Sequence, residues 1–150
     1  MTDAAELSWK QATDLTGKVA VVTGCGSGIG RATARQFAAA GVTVYLGDVN
    51  EETGQATLRD IRSAGGRGEF IPLNLLDAAS IDSFADEVKT RSNGAFDIIA
   101  SIAGIDRIEP FLHNSPENWD KIIQVNYMGP VRLCHRLLPA MIERGAGGKS

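Results

Sequence analysis

The stretch "KVAVVTGCGSGIG" (18–30) limits what this chain can fold into more than any other. Its β-branched start reads as a short buried strand. Four glycines then fall within eight positions, 23–30. Glycine weakens strands and is a poor helix former, so its concentration here must serve something besides regular structure. One glycine suffices for a tight turn. Several, set between a strand and a helix, leave bare main chain. Its N–H groups and the positive helix start can then meet a phosphate without side-chain obstruction.

Downstream, strands and helices alternate. The first strand spans 18–24, and "GIGRATARQFAAAG" (28–41) predicts a helix. Ile29, Ala32, Ala34, Phe37 and Ala38 form its apolar face, and Gly41 closes it. "VTVYLGD" (42–48) is a second strand, and 50–66 a helix with an Asn50 cap and acids in its first turn. "GEFIPLN" (68–74) is a third, weaker strand that Pro72 assigns to an edge. Residues 77–94 form a helix with Ile81, Phe84, Ala85 and Val88 at helical spacing. "FDIIASIAG" (96–104) is a fourth strand. Residues 115–145 read as one long helix, capped by Ser115 with Pro116 in its first position, which Pro130 and Pro139 kink or break. This pattern predicts an α/β, Rossmann-like doubly wound parallel sheet in the order 3-2-1-4. A polar lead-in (1–16) precedes a dinucleotide-binding domain (17–150). The glycine loop falls at the switch point, where ligands bind such sheets.

The glycine spacing is selective. G-x-G-x-x-G fails from Gly24, where Ile29 stands in the last place, and from Gly26, where Arg31 does. What is present is T-G-x-x-x-G-x-G, carried by Thr23, Gly24, Gly28 and Gly30. The other glycine-rich segment, "GAGGKS" (145–150), imitates an ATP-binding loop but has Glu143 where that loop needs glycine. It also follows a helix instead of a strand, so an NTPase reading fails.

In this strand–helix setting, T-G-x-x-x-G-x-G resembles the short-chain dehydrogenase/reductase family. The resemblance runs over essentially all of residues 15–150 and implies a nicotinamide dinucleotide oxidoreductase. By it, Gly24, Ser27, Gly28, Ile29 and Gly30 surround the adenosine and pyrophosphate of the cofactor. Asp48 ends the second strand roughly twenty residues beyond the loop, where a carboxylate binds the adenosine ribose and repels a 2′-phosphate. No basic side chain stands at Cys25, Val49 or Asn50, and Arg31 on the first helix lies a turn too late by the family's usual pattern, so NAD is favoured over NADP. Asp48 also reads as a cap for the next helix, a task for which Asn50 competes. The family's adenine-binding Asp-Val is here Asn74 and Leu75, and an amide oxygen can accept the same bond. Asp77 then caps the next helix. The family's Asn-Asn-Ala-Gly is here Ser101, Ile102, Ala103 and Gly104, which keeps the small pair and lacks both amides. "WDKIIQVNYMG" resembles the segment bearing the family's active-site asparagine. That residue matches Asn126, taken as buried, with the implied role of holding a proton-relay water. Val125 would lie near the adenosine ribose.

The implied catalysis also needs a serine and Tyr-x-x-x-Lys, which supply a positioned acid or base near neutral pH. The chain's tyrosines are Tyr45 and Tyr127, and the residues four beyond them are Val49 and Val131. The serine's strand should begin just after "GGKS". The chain is therefore expected to be the N-terminal portion of a longer enzyme, inactive alone. Its fourth strand would leave an exposed edge, and its long helix an apolar flank through which the family pairs subunits, usually as tetramers. The expected substrate is a small secondary alcohol or ketone, of cyclic-alcohol or hydroxyacyl-CoA type, approached by "GIDRIEPF" (104–111). The alternative is a non-catalytic dinucleotide-binding or interaction module.

Other classes find little support. A net charge of −3 gives no footprint for nucleic acid, and no apolar run approaches a membrane span. The start lacks a secretory signal, and two cysteines in unrelated settings suggest no disulfide framework, which together indicate a cytoplasmic protein. His113 and His135 share no ligand spacing, so no metal is expected. Cys25 stands near a helix start, where thiolates are favoured, but is read as a small loop residue without redox function. Trp119, with Ile122 and Ile123, is read as core or interface.

Overall fold

The computed structural model describes residues 14–145. Most of the lead-in and all of "GAGGKS" except Gly145 lie outside the described residues. Four parallel strands, β1 (Val19–Thr23), β2 (Thr43–Asp48), β3 (Arg67–Pro72) and β4 (Ile98–Ser101), form one sheet in the order β3-β2-β1-β4. Between them run α1 (Gly28–Ala39), α2 (Glu51–Ser63) and α3 (Ala78–Ser92). A 3₁₀ turn (Phe111–His113) leads to α4 (Pro116–Ile123), a π-helical turn (Gln124–Met128) and α5 (Gly129–Arg144).

The apolar run of β1 before Thr23 is explained by helices on both sides of the sheet. Ala20 and Val22 pack with Ala34, Leu58 and Ile61 of α1 and α2, while Val21 packs with Phe84, Leu133 and Leu137 of α3 and α5. Buried on both faces, the strand has no polar side to alternate with. Thr23 is level with Gly47 on one side and Ser101 on the other, so three strand ends share one rim. The strands run parallel, but the side on which successive strands are added reverses at β1, which leaves a crevice at that rim. β3 is an edge strand, and Pro72 is its last residue.

Local chemistry sets the boundaries. The Asn50 side chain accepts from Thr53 N at 3.1 Å and caps α2, and the Asp77 carboxylate accepts from Ala79 N at 2.9 Å and caps α3. Ser115 caps α4, with Pro116 in its first turn.

Four expectations need correction. Ile29 and Ala32 stand outside the core; Gly30, Ala34 and Ala38 are the buried residues of α1. β3 ends at Pro72, and its ladder to β2 closes with Leu73 N donating to Asp48 O at 3.1 Å. β4 covers four residues because the chain is diverted at both ends. Asp97 N donates to Val19 O, and the N–H groups of Ile102 and Ala103 both go to the Thr23 hydroxyl. Residues 115–145 are not one helix. Pro130 has no N–H for an i→i−4 bond, and the ladder shifts register through the π turn just before it. Pro139, with its ring exposed, leaves α5 unbroken.

Candidate dinucleotide-binding site

At the rim above β1 opens a groove of about 550 Å³, a size suited to a small-molecule or cofactor site. The β1–α1 loop contributes Gly24, Ser27, Gly28, Ile29 and Gly30, and the end of β2 contributes Asp48 and Val49. Asn74 and Leu75 come from the segment after β3, Ala103 and Gly104 from that after β4, and Val125 from the π turn. Twelve positions far apart in sequence are thus gathered around one space. Two expected site residues are not. Ser101 is exposed at the free edge of β4, and Asn126 is exposed rather than buried. Asn126 is nevertheless tied to the groove's wall. Its Oδ1 accepts from Ile105 N at 2.8 Å and its Nδ2 donates to Ile105 O at 2.9 Å.

The glycine loop is held through its main-chain groups. Gly24 N and Cys25 N both donate to Gly47 O, at 2.8 and 3.3 Å. Gly26 N donates to Asp48 Oδ2 at 2.7 Å, and the Gly26 carbonyl accepts from the Arg31 guanidinium. Beyond Gly26 the arrangement opens. Ser27 is the extended N-cap of α1, and its side chain makes no capping bond. The first N–H groups of a helix have no partner within it, and here they belong to residues that line the groove. Two glycines are dictated by this geometry. A Cβ on Gly30 would be driven into the Gly24 carbonyl, so only glycine allows the helix to approach the strand. Gly28 has φ +48°, and a Cβ there would meet no protein atom within 4 Å. Bare backbone beside open space at a helix start is a fit for a diphosphate.

Asp48 is the sole charged side chain among the lining residues. Besides Gly26 N, its carboxylate accepts from Asn50 N at 2.9 Å, so it spans the loop and the start of α2. It does not cap that helix; Asn50 does. Asn74 is locked into its turn, with Oδ1 accepting from Leu76 N at 3.0 Å and its own N–H donating to Ser80 Oγ at 2.9 Å. The other lone pair of Oδ1 stays available. Cys25 is fully buried, and burial first, then the Asp48 charge, pushes its thiol up to about 12. A neutral, inaccessible thiol agrees with the non-redox reading.

Gly47, Leu73, Leu76, Ile102 and Ile105 also line the groove and were not among the expected residues. Thr23 was recognised within the glycine motif but not as a working part of the site. Its buried hydroxyl accepts from Ile102 N at 3.1 Å and Ala103 N at 3.2 Å, holding the wall in which the family's two amides are missing. Its placement at the last position of β1, polar at the end of an apolar run, was the available signal. Neither tyrosine meets the groove. Tyr45 is buried in the core, where desolvation and then Glu69 raise its pKa, and Tyr127 is exposed on the π turn. Among the described residues, no group of three or more His, Cys, Asp or Glu could hold a metal ion, and no helix is long and apolar enough to cross a membrane.

Known proteins resemble this chain in sequence and in fold. The chain is 38% identical over 132 residues to an uncharacterized oxidoreductase of Bacillus subtilis (strain 168), covering 87% of this chain and 48% of that protein. It is 35% identical to a D-threitol dehydrogenase of Mycolicibacterium smegmatis, covering 98% of this chain and 56% of that protein. A metagenomic short-chain oxidoreductase crystallised with NADP superposes with a TM-score of 0.83 at 35% identity, covering 90% of this chain and 61% of that one. The chain thus spans about half the length of the curated relatives it matches. The family model described as short chain dehydrogenase matches residues 18–149, and the chain belongs to that family.

Proposed function

We propose that the groove binds NAD in preference to NADP, and that these residues form the cofactor half of an oxidoreductase acting on a secondary alcohol or ketone. The observation that carries the cofactor choice is Asp48. It is the one charge on the groove wall, held at the end of β2 by two main-chain N–H groups. Such a carboxylate accepts from ribose hydroxyls and repels a 2′-phosphate. NADP in the metagenomic relative is that protein's property; Asp48 is the feature of this chain that argues for the other cofactor. Bound in the groove, a nicotinamide dinucleotide would supply two-electron hydride exchange. The chain's part is to hold it. The start of α1 receives the diphosphate, Asp48 with Val49 the adenosine ribose, and Asn74 with Leu75 the adenine, while the Ala103–Gly104 backbone approaches the ribose and Val125 lies near the adenosine ribose.

Asn126 serves the proton-transfer side by fixing Ile105 and thereby the loop that carries "GIDRIEPF" toward substrate. Proton transfer itself needs an acid that neither Tyr45 nor Tyr127 supplies. Reading the coding sequence past Ser150 separates the enzyme from the binding-module alternative. A serine followed by Tyr-x-x-x-Lys marks the enzyme; a stop codon favours the module. Assembly with further copies is assigned to the exposed flank of α4 and α5, and the compartment to the cytoplasm.

Titration of the full chain with NAD and NADP tests the cofactor reading. NAD should bind more tightly, and Asp48→Arg should weaken NAD and improve NADP. An unchanged preference in that variant would overturn it.

A further inference from the structure

We infer that Thr57, on α2 and outside the groove, is a positioning residue that sets cofactor choice by fixing the peptide unit on which Asp48 rests. The inference depends on the NAD reading just proposed and extends it to a residue that cannot touch the cofactor. Thr57 is fully buried. Its hydroxyl lies 2.8 Å from the Cys25 carbonyl oxygen, which it can reach as donor, and 3.1 Å from Thr53 O in its own helix.

The Cys25 carbonyl and the Gly26 N–H belong to one peptide unit. Its oxygen end accepts from Thr57, and its nitrogen end donates to Asp48 Oδ2 at 2.7 Å. A peptide unit is planar, so fixing the carbonyl direction fixes the N–H direction. Thr57 therefore aims Gly26 N at the carboxylate. Asp48 in turn uses one oxygen on this N–H and the other on Asn50 N, which leaves the remaining lone pairs in a set direction.

A threonine hydroxyl has a single hydrogen and two acceptors within reach. The intrahelical bond to Thr53 is the usual back-bond of a helical threonine and needs no loop. The bond to Cys25 links two elements 32 residues apart, and it is the shorter of the two. Without the hydroxyl, the Cys25 carbonyl loses a buried partner and the peptide can turn about its flanking bonds, one of which belongs to glycine. Gly26 N would then leave Asp48, and the carboxylate would lose its set direction. NAD, which uses that direction, should suffer; NADP, already repelled, should suffer less.

The test measures dissociation constants for NAD and NADP on the full chain and on Thr57→Val and Thr57→Ser, alone and with Asp48→Ala. Thr57→Val should weaken NAD roughly three- to tenfold, the range of one lost hydrogen bond, change NADP little, and narrow the preference accordingly. Thr57→Ser, which keeps the hydroxyl, should restore it. In the Asp48→Ala background the change at 57 should no longer alter the ratio. Equal weakening of both cofactors, or no rescue by serine, would overturn the inference while leaving the NAD reading in place. Failure of the unsubstituted chain to prefer NAD would overturn the reading, and the inference with it. Amide hydrogen exchange on the unsubstituted chain is independent of how the variants fold. Slow exchange at Gly26 supports the brace, and exchange as fast as at an open loop refutes it.

Discussion

At the scale of single residues, two contacts decide whether the groove exists. Gly30 allows α1 to start against the Gly24 carbonyl, and any side chain there must displace helix or strand. Gly30→Ala should therefore abolish dinucleotide binding and destabilise the fold by about 2 kcal/mol, within the usual range for overpacking. Calorimetric titration and urea unfolding would measure both. Thr23 serves the opposite wall. Thr23→Val keeps the shape but removes the acceptor for Ile102 N and Ala103 N, at a cost of about 1–3 kcal/mol for part-buried donors left unpaired. Thr23→Ser should keep most of the stability, and comparing urea midpoints for the pair isolates the hydroxyl. Glycine spacing is a local property, so the loop was legible in the sequence. A polar residue closing an apolar strand marked Thr23 itself, but its bonds join residues 79 and 80 positions apart, so the local pattern could not name its partners. Asn126 was legible by type but not by setting. Mid-helix position suggested burial, whereas the π turn leaves it exposed and bonded to Ile105.

Among the elements, the end of the sheet opposite the groove is fastened by one side chain. Asp97, just before β4, accepts from Val19 N at 2.9 Å and from Arg144 Nη2 at 2.6 Å, with Lys18 Nζ at 3.7 Å. β1, β4 and the last turn of α5 thus meet on one carboxylate. Burial alone would push its pKa up, but Val19 N–H, Arg144 and Lys18 together outweigh that and hold it below the usual carboxylate value. A carboxyl with a depressed folded-state pKa contributes stability above its unfolded pKa and loses it as pH falls through the folded one. Asp97→Asn should cost about 1 kcal/mol near neutral pH. The gap between the two proteins should shrink below about pH 4, where the unfolded carboxyl titrates. Thermal unfolding across that range checks the sign; a gap that widens in acid would refute it. Element order and the caps at Asn50, Asp77 and Ser115 were legible because each rests on neighbours in sequence, and strand order because βαβ crossovers onto a parallel sheet follow a fixed hand. The short β4 and divided helix were not. β4 is cut by distant bonds from Val19 and Thr23, and Pro130 signalled a disturbance without saying that the helix would continue through a π turn.

Over the whole molecule, the groove faces one rim, while among the described residues nothing covers the outer flank of the α4–α5 segment. Ile123, Tyr127, Val131, Leu138 and Ile142 are all exposed there. Within α5, Val131, Leu138 and Ile142 recur at spacings of seven and four, which keeps them on one side of the helix. Single exposed apolar residues are ordinary, but a run along one helix flank is the mark of an association surface. Among the described residues β4 is an edge strand, which adds unpaired main-chain groups. A net charge of −3 offers little repulsion against contact between copies. The chain should therefore self-associate at micromolar concentration, and Val131→Glu should shift it toward monomer by placing a carboxylate in the apolar run. Gln36→Glu, on the exposed side of α1, adds the same charge elsewhere and should leave association unchanged. Sedimentation velocity on the three proteins distinguishes the cases. Equal loss of association in both variants would mean that charge alone governs it, and an unsubstituted chain that stays monomeric would remove the helix flank as the contact.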